Sequence, residues 1–295
     1  MEVGEEATHG MQSGNLMPAP LSEENFRSLS KLIHRECGIR MPVTKKIMLE
    51  ARLRKRLKAR GMTNFHDYCE YLFSAAGMAD EMIPMIDVVT TNKTEFFREP
   101  RHFEYLTQAV LPELTKVHGA GIRRDLMVWS AGCATGEEPY TIAMVLNEFS
   151  ETGLSLDFKI LATDISTKAL EKAVRAIYSQ DEAETVPIAL KRKYLMRSRD
   201  RRRGLVRIVP ALRAKVRFRR LNFMEPDLGI QEPMDIIFCR NVIIYFDKPT
   251  QERLIQRLYS HLIPGGYLFM GHTETLSGFK VPLVSFGPMV YKKTL

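Results

Sequence analysis

Residues 126–141 constrain the fold most strongly, because they combine a short buried strand, a glycine loop and the start of a helix. Residues 126–130 are mostly large and apolar, which is typical of a parallel strand covered on both faces. Gly132 and Gly136 follow with small residues between them, and Pro139 suits the first turn of a helix. Glycine lets the backbone approach a ligand, and a helix N-terminus offers free N–H groups. The stretch therefore predicts an α/β domain with a nucleotide-binding turn.

The two acids at this turn restrict the class of ligand. Glu137 and Glu138 stand where a phosphate-binding P-loop requires lysine and a hydroxyl residue, and the glycine spacing also differs from the dinucleotide fingerprint. Two carboxylates at the start of the helix would repel the phosphate groups of a nucleotide. A ligand with a cationic end and ribose hydroxyls but no phosphate fits better, and S-adenosylmethionine has these groups. On the glycines alone, a turn without a ligand is an equal alternative.

Length and composition are those of a soluble globular protein with one large domain and a smaller one. No stretch approaches the roughly 20 apolar residues of a membrane span, and no secretory signal precedes the first periodic segment. The four cysteines are far apart and form no CxxC pair, which predicts reduced thiols and a cytoplasmic location. The net charge of +8 indicates an acidic partner.

The first part of the chain is predicted to be helical after a disordered tail at residues 1–20. Helical periodicity extends over residues 21–90, which we interpret as a small all-helical domain. Its helices are predicted at 23–36, at 43–60, from Asn64 onward, and at about 79–89.

The second of these helices has an unusual distribution of charge. Leu49, Leu53 and Leu57 form a buried stripe, and eight basic residues surround it with only Glu50 in opposition. Such a one-sided charge indicates an acidic partner, either nucleic acid or an anionic protein helix. A solvated helix face is the alternative.

The rest of the chain alternates strands and helices after a linker at residues 91–99. Strands are predicted at 126–130, 158–162, 217–221, 234–239 and 267–270, with helices at about 101–116, from Ser166, and at 249–262, and a final hairpin at 282–292. Ligands of open α/β sheets bind outside the carboxyl ends of strands. The residues at those ends are Gly132, Asp164, Asn222, Arg240, Asn241 and Gly271.

Residues 178–216 interrupt this alternation. The runs 205–209 and 215–219 alternate apolar and basic residues, as half-exposed strands do. We predict an inserted antiparallel flap of two or three strands, with residues 217–221 also serving the main sheet. Its basic residues form either a second docking surface or a solvated loop.

Three motifs together resemble the CheR family of chemotaxis receptor glutamate O-methyltransferases. They are TTNKTEFFRE at residues 90–99, SAGCATGEEPY at 130–140 and CRNVIIYF at 239–246. The resemblance extends over about residues 21–295. It implies a class I S-adenosylmethionine-dependent methyltransferase domain at residues 100–295, with a Rossmann-like, mostly parallel sheet and a C-terminal antiparallel hairpin. A helical receptor-docking domain precedes it, and an antiparallel β-subdomain is inserted at about 178–216.

The resemblance also implies an activity and a set of site residues. The reaction is methyl transfer to glutamate carboxylates of chemoreceptors, which gives methyl esters and S-adenosyl-L-homocysteine. Arg98 and Tyr245 would be catalytic, and no metal would be required. The cofactor would contact Asn92, Thr94, Arg98, Gly132, Glu137, Glu138, Asp164, Asn222, Phe223, Arg240 and Asn241. The methylation helices of the receptor would contact Arg52, Arg54, Arg56 and Arg60.

The chemistry of this reaction needs little from the protein beyond alignment and exclusion of water. A glutamate with a reference pKa near 4.3 is already an ionised nucleophile at pH 7, and the leaving group is a neutral thioether. We therefore expect Arg98 to orient the carboxylate by a charge-assisted hydrogen bond, and Tyr245 to face the reacting centre.

Two rival functions remain open at this point. The first is a nucleic-acid methyltransferase, for which the basic helix and flap would be the binding surface. Against it, the segment after the fourth strand lacks the Asn/Asp-Pro-Pro-Tyr/Phe loop that enzymes methylating the amino groups of bases usually have. A non-catalytic adaptor that senses S-adenosylmethionine is the second. We favour a monomer that does not insert into membranes and acts on chemoreceptors rather than nucleic acid. The sequence leaves open whether the β-subdomain binds a receptor C-terminal peptide.

Overall fold

The computed structural model describes residues 19–153 and 155–294, so the predicted tail lies almost entirely outside the described residues. A helical unit precedes an α/β unit. Ser22 caps the first helix by accepting from the Asn25 N–H, and Asn64 caps the third by accepting from the Asp67 N–H. The helices of this unit are α1 (Glu23–Cys37), α2 (Lys46–Arg60), α3 (Phe65–Phe73), α4 (Ala75–Asp80) and α5 (Met82–Val89).

The prediction of a single helix at 79–89 was wrong, because the chain forms α4 and α5 with a break at Glu81. The Glu81 side chain is fully buried and accepts hydrogen bonds from Arg56, Arg60 and Tyr68. These donors lower the pKa of Glu81 against the opposing effect of burial. The buried ion pairs join α2 to the α3–α5 region, while Leu49, Leu53 and Leu57 fill the core as predicted.

The α/β unit has a seven-stranded sheet. Its strands are β1 (Leu126–Ala131), β2 (Phe158–Asp164), β6 (Val216–Arg220), β7 (Met234–Cys239), β8 (Leu262–Met270), β9 (Leu283–Gly287) and β10 (Val290–Lys293). Their order across the sheet is β6-β2-β1-β7-β8-β10-β9. The first five strands in that order are parallel, and the last two form the predicted antiparallel hairpin.

Helices cover both faces of this sheet. The helix predicted at 101–116 extends to His118 and contains a π-helical turn at Leu106–Val110. Strand β8 begins at Leu262, earlier than predicted, since a register shift against β7 accommodates the exposed Pro264 within the strand. The helices are α6 (Arg101–Tyr105), α7 (Leu111–His118), α8 (Glu137–Glu151), α9 (Thr167–Arg175) and α12 (Lys248–His261).

The inserted segment forms its own three-stranded antiparallel sheet in the order β3-β5-β4. Residues 215–219 do not join it, because Val216–Arg220 pairs in parallel with β2 at the edge of the main sheet. The insert consists of β3 (Ile177–Ser179), α10 (Ile188–Tyr194), β4 (Leu195–Arg197), β5 (Leu205–Ile208) and α11 (Pro210–Arg213).

The helical unit packs directly on the carboxyl ends of the main strands. The Asp87 carboxylate accepts from the N–H and hydroxyl of Thr167 at the start of α9. Asn222 donates to the Glu36 carbonyl, and the Arg40 N–H donates to the Tyr245 carbonyl. These bonds hold the first helices over the place where an α/β sheet binds ligands.

Candidate functional site

A cleft lies between the helical unit and the carboxyl ends of the strands. Residues of α1, α2 and the segment between them, including Ile39, Lys45 and Met48, form one wall. The predicted site residues that line the cleft are Asn92, Thr94, Arg98, Gly132, Glu138, Asp164, Asn222, Phe223, Arg240, Asn241 and Tyr245.

The glycine loop is shaped by the segment that follows β7. Gly132 has φ +87°, and a Cβ there would lie 2.4 Å from Cγ2 of Val242. A side chain at this position would therefore push the two loops apart and distort the floor of the cleft.

Of the two acids after this loop, only Glu138 faces the cleft. The Glu137 carboxylate accepts from the Thr135 hydroxyl at 2.6 Å and lies in an adjoining groove with Lys172 and Glu182. Burial raises the pKa of Glu137. Its predicted cofactor contact is therefore not supported, because successive helical residues point about 100° apart and the packing of α8 directs Glu138 inward.

Asp164 ends β2 and anchors the glycine loop. Its carboxylate accepts from the Ala134 N–H at 2.8 Å and from the Ser166 N–H at 2.9 Å. Ala134 has a positive φ of 46°, so the first bond supports an unfavourable backbone conformation. Burial raises the pKa of Asp164 against these donors. Ser166 separately caps α9 by accepting from Ala169, which leaves Asp164 available to the cleft.

Arg240 is the central buried charge of the site. Its Nε donates to Glu138 Oε2 at 2.7 Å, and its Nη1 donates to the Arg98 carbonyl at 2.7 Å. The guanidinium lies 5.3 Å from the Phe103 ring centroid and 5.6 Å from that of Phe238. The other Glu138 oxygen accepts from Ser130, so both oxygens of this carboxylate have partners.

Sequence analysis missed two further residues beside Arg240. His102 Nδ1 accepts from Arg240 Nη1 at 3.2 Å, and Glu99 Oε2 lies 3.6 Å from the same nitrogen. Glu99 ends the TTNKTEFFRE motif and His102 follows three residues later, but the motif alone does not show that their side chains reach Arg240, about 140 residues further along the chain. His272 lies beside these two residues, and Glu99, His102 and His272 offer ligand atoms within 4.8 Å of one another.

This cluster does not suit a metal ion. Arg240 already occupies the lone pair of His102 Nδ1, and its positive charge lies beside Glu99. A cation at the same place would face an adjacent guanidinium. We interpret the cluster as a buried ion-pair network that supports Arg240.

Burial and, to a smaller extent, the neighbouring Arg240 charge lower the pKa of His102 to about 4. Between pH 6.5 and 4, His102 is therefore protonated in the unfolded chain but stays neutral in the folded protein. The free energy of unfolding falls as the pH is lowered through this range. We expect this group alone to lower the free energy of unfolding by about 3 kcal/mol at pH 4.

His102→Gln, which keeps an acceptor for Arg240, should remove this part of the acid sensitivity in urea unfolding at pH 7 and pH 4. The exposed control His66→Gln should not, and an unchanged pH dependence of His102→Gln would contradict the assignment.

Three cations, Lys45, Lys93 and Arg98, line the cleft without an acidic partner among the described residues. Arg98 is half-buried, and its one hydrogen bond in the described part of the chain goes to the Lys93 carbonyl at 3.3 Å. Lys45 lies with Nζ 5.8 Å from the Tyr245 ring centroid. Tyr245 itself sits in a 3-10 turn, Ile243–Tyr245, which directly follows Arg240 and Asn241. The cleft therefore combines three cations and a phenol with the carboxylates of Asp164 and Glu138.

Comparison with known proteins identifies the chain. Residues 92–286 match the family described as CheR methyltransferase, SAM binding domain, and residues 24–90 match the CheR methyltransferase all-alpha domain. The chain belongs to the CheR methyltransferase family. It is 38% identical to a chemotaxis protein methyltransferase of Borreliella burgdorferi over 92% of this chain and 95% of that protein. It is 39% identical to the one of Klebsiella aerogenes, covering 93% and 91%.

Family membership confirms the predicted fold class and S-adenosylmethionine as the cofactor. This CheR methyltransferase is thus an S-adenosylmethionine-dependent enzyme of the chemotaxis type. Within the described residues, no helix is long and apolar enough to cross a membrane. The roles of the individual cleft residues stay predictions.

The docking residues predicted on α2 of this CheR methyltransferase are mostly engaged within the protein. Arg52 donates to the carbonyls of Val89 and Thr90 at the end of α5 and to the Thr91 hydroxyl, which ties α2 to α5 and to the start of the linker. Arg56 and Arg60 bind the buried Glu81, and Arg54 pairs with Glu50. The interpretation that only Glu50 opposes the basic residues was therefore wrong, because Glu81 is distant in sequence but adjacent in space. The fully exposed face of α2 instead contains Ile47, Ala51, Lys55 and Lys58.

Proposed function

We propose that the protein transfers the methyl group of S-adenosylmethionine to glutamate side-chain carboxylates of chemoreceptors. The observation that carries this proposal is the set of three cleft cations, Arg98, Lys45 and Lys93, which have no acidic partner among the described residues. An incoming carboxylate would supply the missing negative charge. The cleft acids Glu138 and Asp164 already accept hydrogen bonds, so they suit binding better than proton transfer.

The reaction balances without a protein acid or base. A carboxylate oxygen forms a bond to the methyl carbon while the bond from that carbon to sulfur breaks, and the electron pair stays on sulfur. The products are a glutamate methyl ester and neutral S-adenosylhomocysteine. Since positive and negative charge cancel along this path, the protein gains most by aligning the reactants and excluding water.

In this proposal Arg98 orients the acceptor carboxylate through a charge-assisted hydrogen bond, and Lys45 adds long-range attraction at the mouth. Tyr245 faces the reacting methyl group. Asp164 accepts from the ribose hydroxyls, and Glu138 lies toward the cationic end of the cofactor. Asn92, Thr94, Asn222 and Phe223 complete the cofactor contacts.

The deciding experiment incubates the protein with labelled S-adenosylmethionine and either a chemoreceptor cytoplasmic fragment or RNA. We expect base-labile label on receptor glutamates, located by mass spectrometry. Base-stable label on RNA would instead indicate a nucleic-acid methyltransferase, and bound cofactor without any transfer would indicate a sensing adaptor. Either result would overturn the proposal.

We further propose that the acceptor helix lies along the exposed face of α2. This face begins with Ile47, whose side chain is 82% exposed, and continues through Ala51 to Lys55 and Lys58. Lys55 and Lys58 have no acidic partner among the described residues, whereas Arg56 and Arg60 do. The free cations can therefore attract an acidic helix toward the cleft.

Reversing two of these charges should weaken receptor binding selectively. We expect Lys55→Glu/Lys58→Glu to raise the receptor KM about tenfold at low salt, with a smaller difference at high salt, because electrostatic attraction is screened. Cofactor affinity should be unchanged. Lys31→Glu/Lys116→Glu, two exposed lysines on other elements, is the matched control. Equal KM values for the two double variants would argue against docking at α2.

The groove in the inserted sheet supports a proposed second contact with receptors. Ile188, Leu195 and Val206 supply apolar surface there, and Lys191, Arg192 and Arg197 supply positive charge. Such a lining suits an acidic peptide with large apolar side chains, so we propose a receptor C-terminal segment as its ligand.

A further inference from the structure

The Glu274 carboxylate lies buried beneath the segment that presents Arg240, Asn241 and Tyr245. The residue is only 2% exposed. Its Oε2 accepts from the Asn241 N–H at 2.7 Å, and its Oε1 accepts from the Ile243 N–H at 2.9 Å. A third bond comes from the Gly271 N–H at 2.8 Å. Glu274 therefore joins the end of β8 to the loop that follows β7.

This loop combines a left-handed turn with a close contact to the end of β8. Asn241 has φ +59°, a left-handed conformation that asparagine adopts more readily than most residues with a side chain. A Cβ on Gly271 would lie 2.7 Å from Asn241 Nδ2 and 2.8 Å from Glu274 Oε2. The close approach of the two chain segments thus requires glycine at 271 and the carboxylate at 274.

A carboxylate suits this place better than an amide. Its two oxygens together accept three backbone N–H groups, and it carries no hydrogen to oppose them. A glutamine would turn its NH₂ group toward at least one of these donors. That backbone N–H would then be buried without a partner, and the loop would have to move.

The opposite end of the same segment is held by the helical unit. The Arg40 N–H donates to the Tyr245 carbonyl at 2.8 Å. Glu274 is therefore the inner anchor and Arg40 the outer anchor of a short 3-10 turn whose phenol faces the cleft. Motion of the inner anchor would shift Tyr245 relative to the reacting atoms.

We propose that Glu274 is a positioning residue for methyl transfer, which acts by fixing residues 240–245 rather than by touching the substrates. The proposal rests on the proposed function, since it uses the predicted place of Tyr245 at the reacting centre. Glu274 takes no part in bond making.

The test measures methyl transfer to a receptor fragment by Glu274→Gln in two backgrounds. In the wild-type background we expect kcat to fall about 10²-fold, because small misplacements of reacting groups have effects of this size. In a Tyr245→Phe background the same change should lower kcat much less. The Tyr245 hydroxyl is already absent there, so its displacement can have no further effect on the rate. Equal fold losses in both backgrounds, or normal turnover by Glu274→Gln, would overturn the proposal.

Two further variants separate positioning from stability. Glu113→Gln removes another partly buried carboxylate, which accepts from Tyr267 and Lys292 away from the cleft, and should lower Tm without changing kcat. Should Glu274→Gln fail to fold, Gly271→Ala displaces the same loop and should show the same dependence on Tyr245. Absence of esters with the wild-type protein would refute the proposed function instead, so the two failures are distinguishable.

Discussion

Replacing Arg98 with alanine is expected to lower kcat/KM for receptor methylation about 10²- to 10³-fold, the usual effect of removing one aligned donor from an active site. The guanidinium has no acidic partner among the described residues, and its own side-chain bond is a long one to the Lys93 carbonyl. Its loss should therefore leave the free energy of unfolding nearly unchanged. The measurement is steady-state transfer of labelled methyl groups to a receptor fragment, together with urea unfolding.

Arg98→Lys distinguishes charge from geometry. Lysine keeps the positive charge but lacks the planar fork that binds a carboxylate through two parallel bonds, so an intermediate loss is expected. Arg101→Ala, an exposed arginine in the first turn of α6, is the matched control and should retain full activity. Near-normal turnover of Arg98→Ala would remove the proposed carboxylate anchor.

Replacing Arg240 with methionine should destabilise the protein by about 3–5 kcal/mol, since it leaves the Glu138 carboxylate buried with an uncompensated charge. The change should also abolish binding of S-adenosylmethionine. The Arg240 guanidinium donates to both the Glu138 carboxylate and the Arg98 carbonyl, and without it these two parts of the cleft wall are no longer held together. Urea unfolding and isothermal titration of the cofactor measure the two effects.

The double variant Glu138→Gln/Arg240→Met separates these effects. Removing both charges should restore most of the lost stability, because no buried ion remains unpaired at this pair of positions, whereas cofactor affinity should stay low. Arg175→Met serves as the control, since Arg175 forms an exposed pair with Glu171 at 3.7 Å and should change stability by less than about 0.5 kcal/mol. A double variant as unstable as Arg240→Met would show that Arg240 acts mainly through partners other than Glu138.

Local patterns were enough to predict most of the secondary structure. Strand β1, the glycine loop and helix α8 follow from residue types that are adjacent in sequence. The caps at Ser22, Asn64 and Ser166 follow from side chains that reach N–H groups only three residues ahead. Wherever the interacting groups lie within one turn or one strand, the sequence contains the whole interaction.

The errors concern interactions between distant residues. The break between α4 and α5 accompanies burial of Glu81 against Arg56 and Arg60, which lie more than twenty residues earlier. Glu137 and Glu138 are adjacent in sequence, with Glu138 the favoured cofactor contact, and only the packing of α8 shows that Glu138 lines the cleft while Glu137 lies in a side groove. Glu99 and Arg240 belong to two different motifs, and only the fold brings Glu99 and His102 into contact with Arg240 across about 140 residues of chain.

By itself the sequence determined the order of strands and helices, the family, and the cofactor, because adjacent residues and long motifs encode these properties. Only the tertiary structure decided which charges are free and which are buried in pairs. It left Arg98, Lys45, Lys55 and Lys58 without acidic partners among the described residues and paired Arg56, Arg60 and Arg240 with acids. The physical reason is that burying a charge is costly unless an opposite charge lies within a few ångströms, and only the folded chain brings distant residues that close.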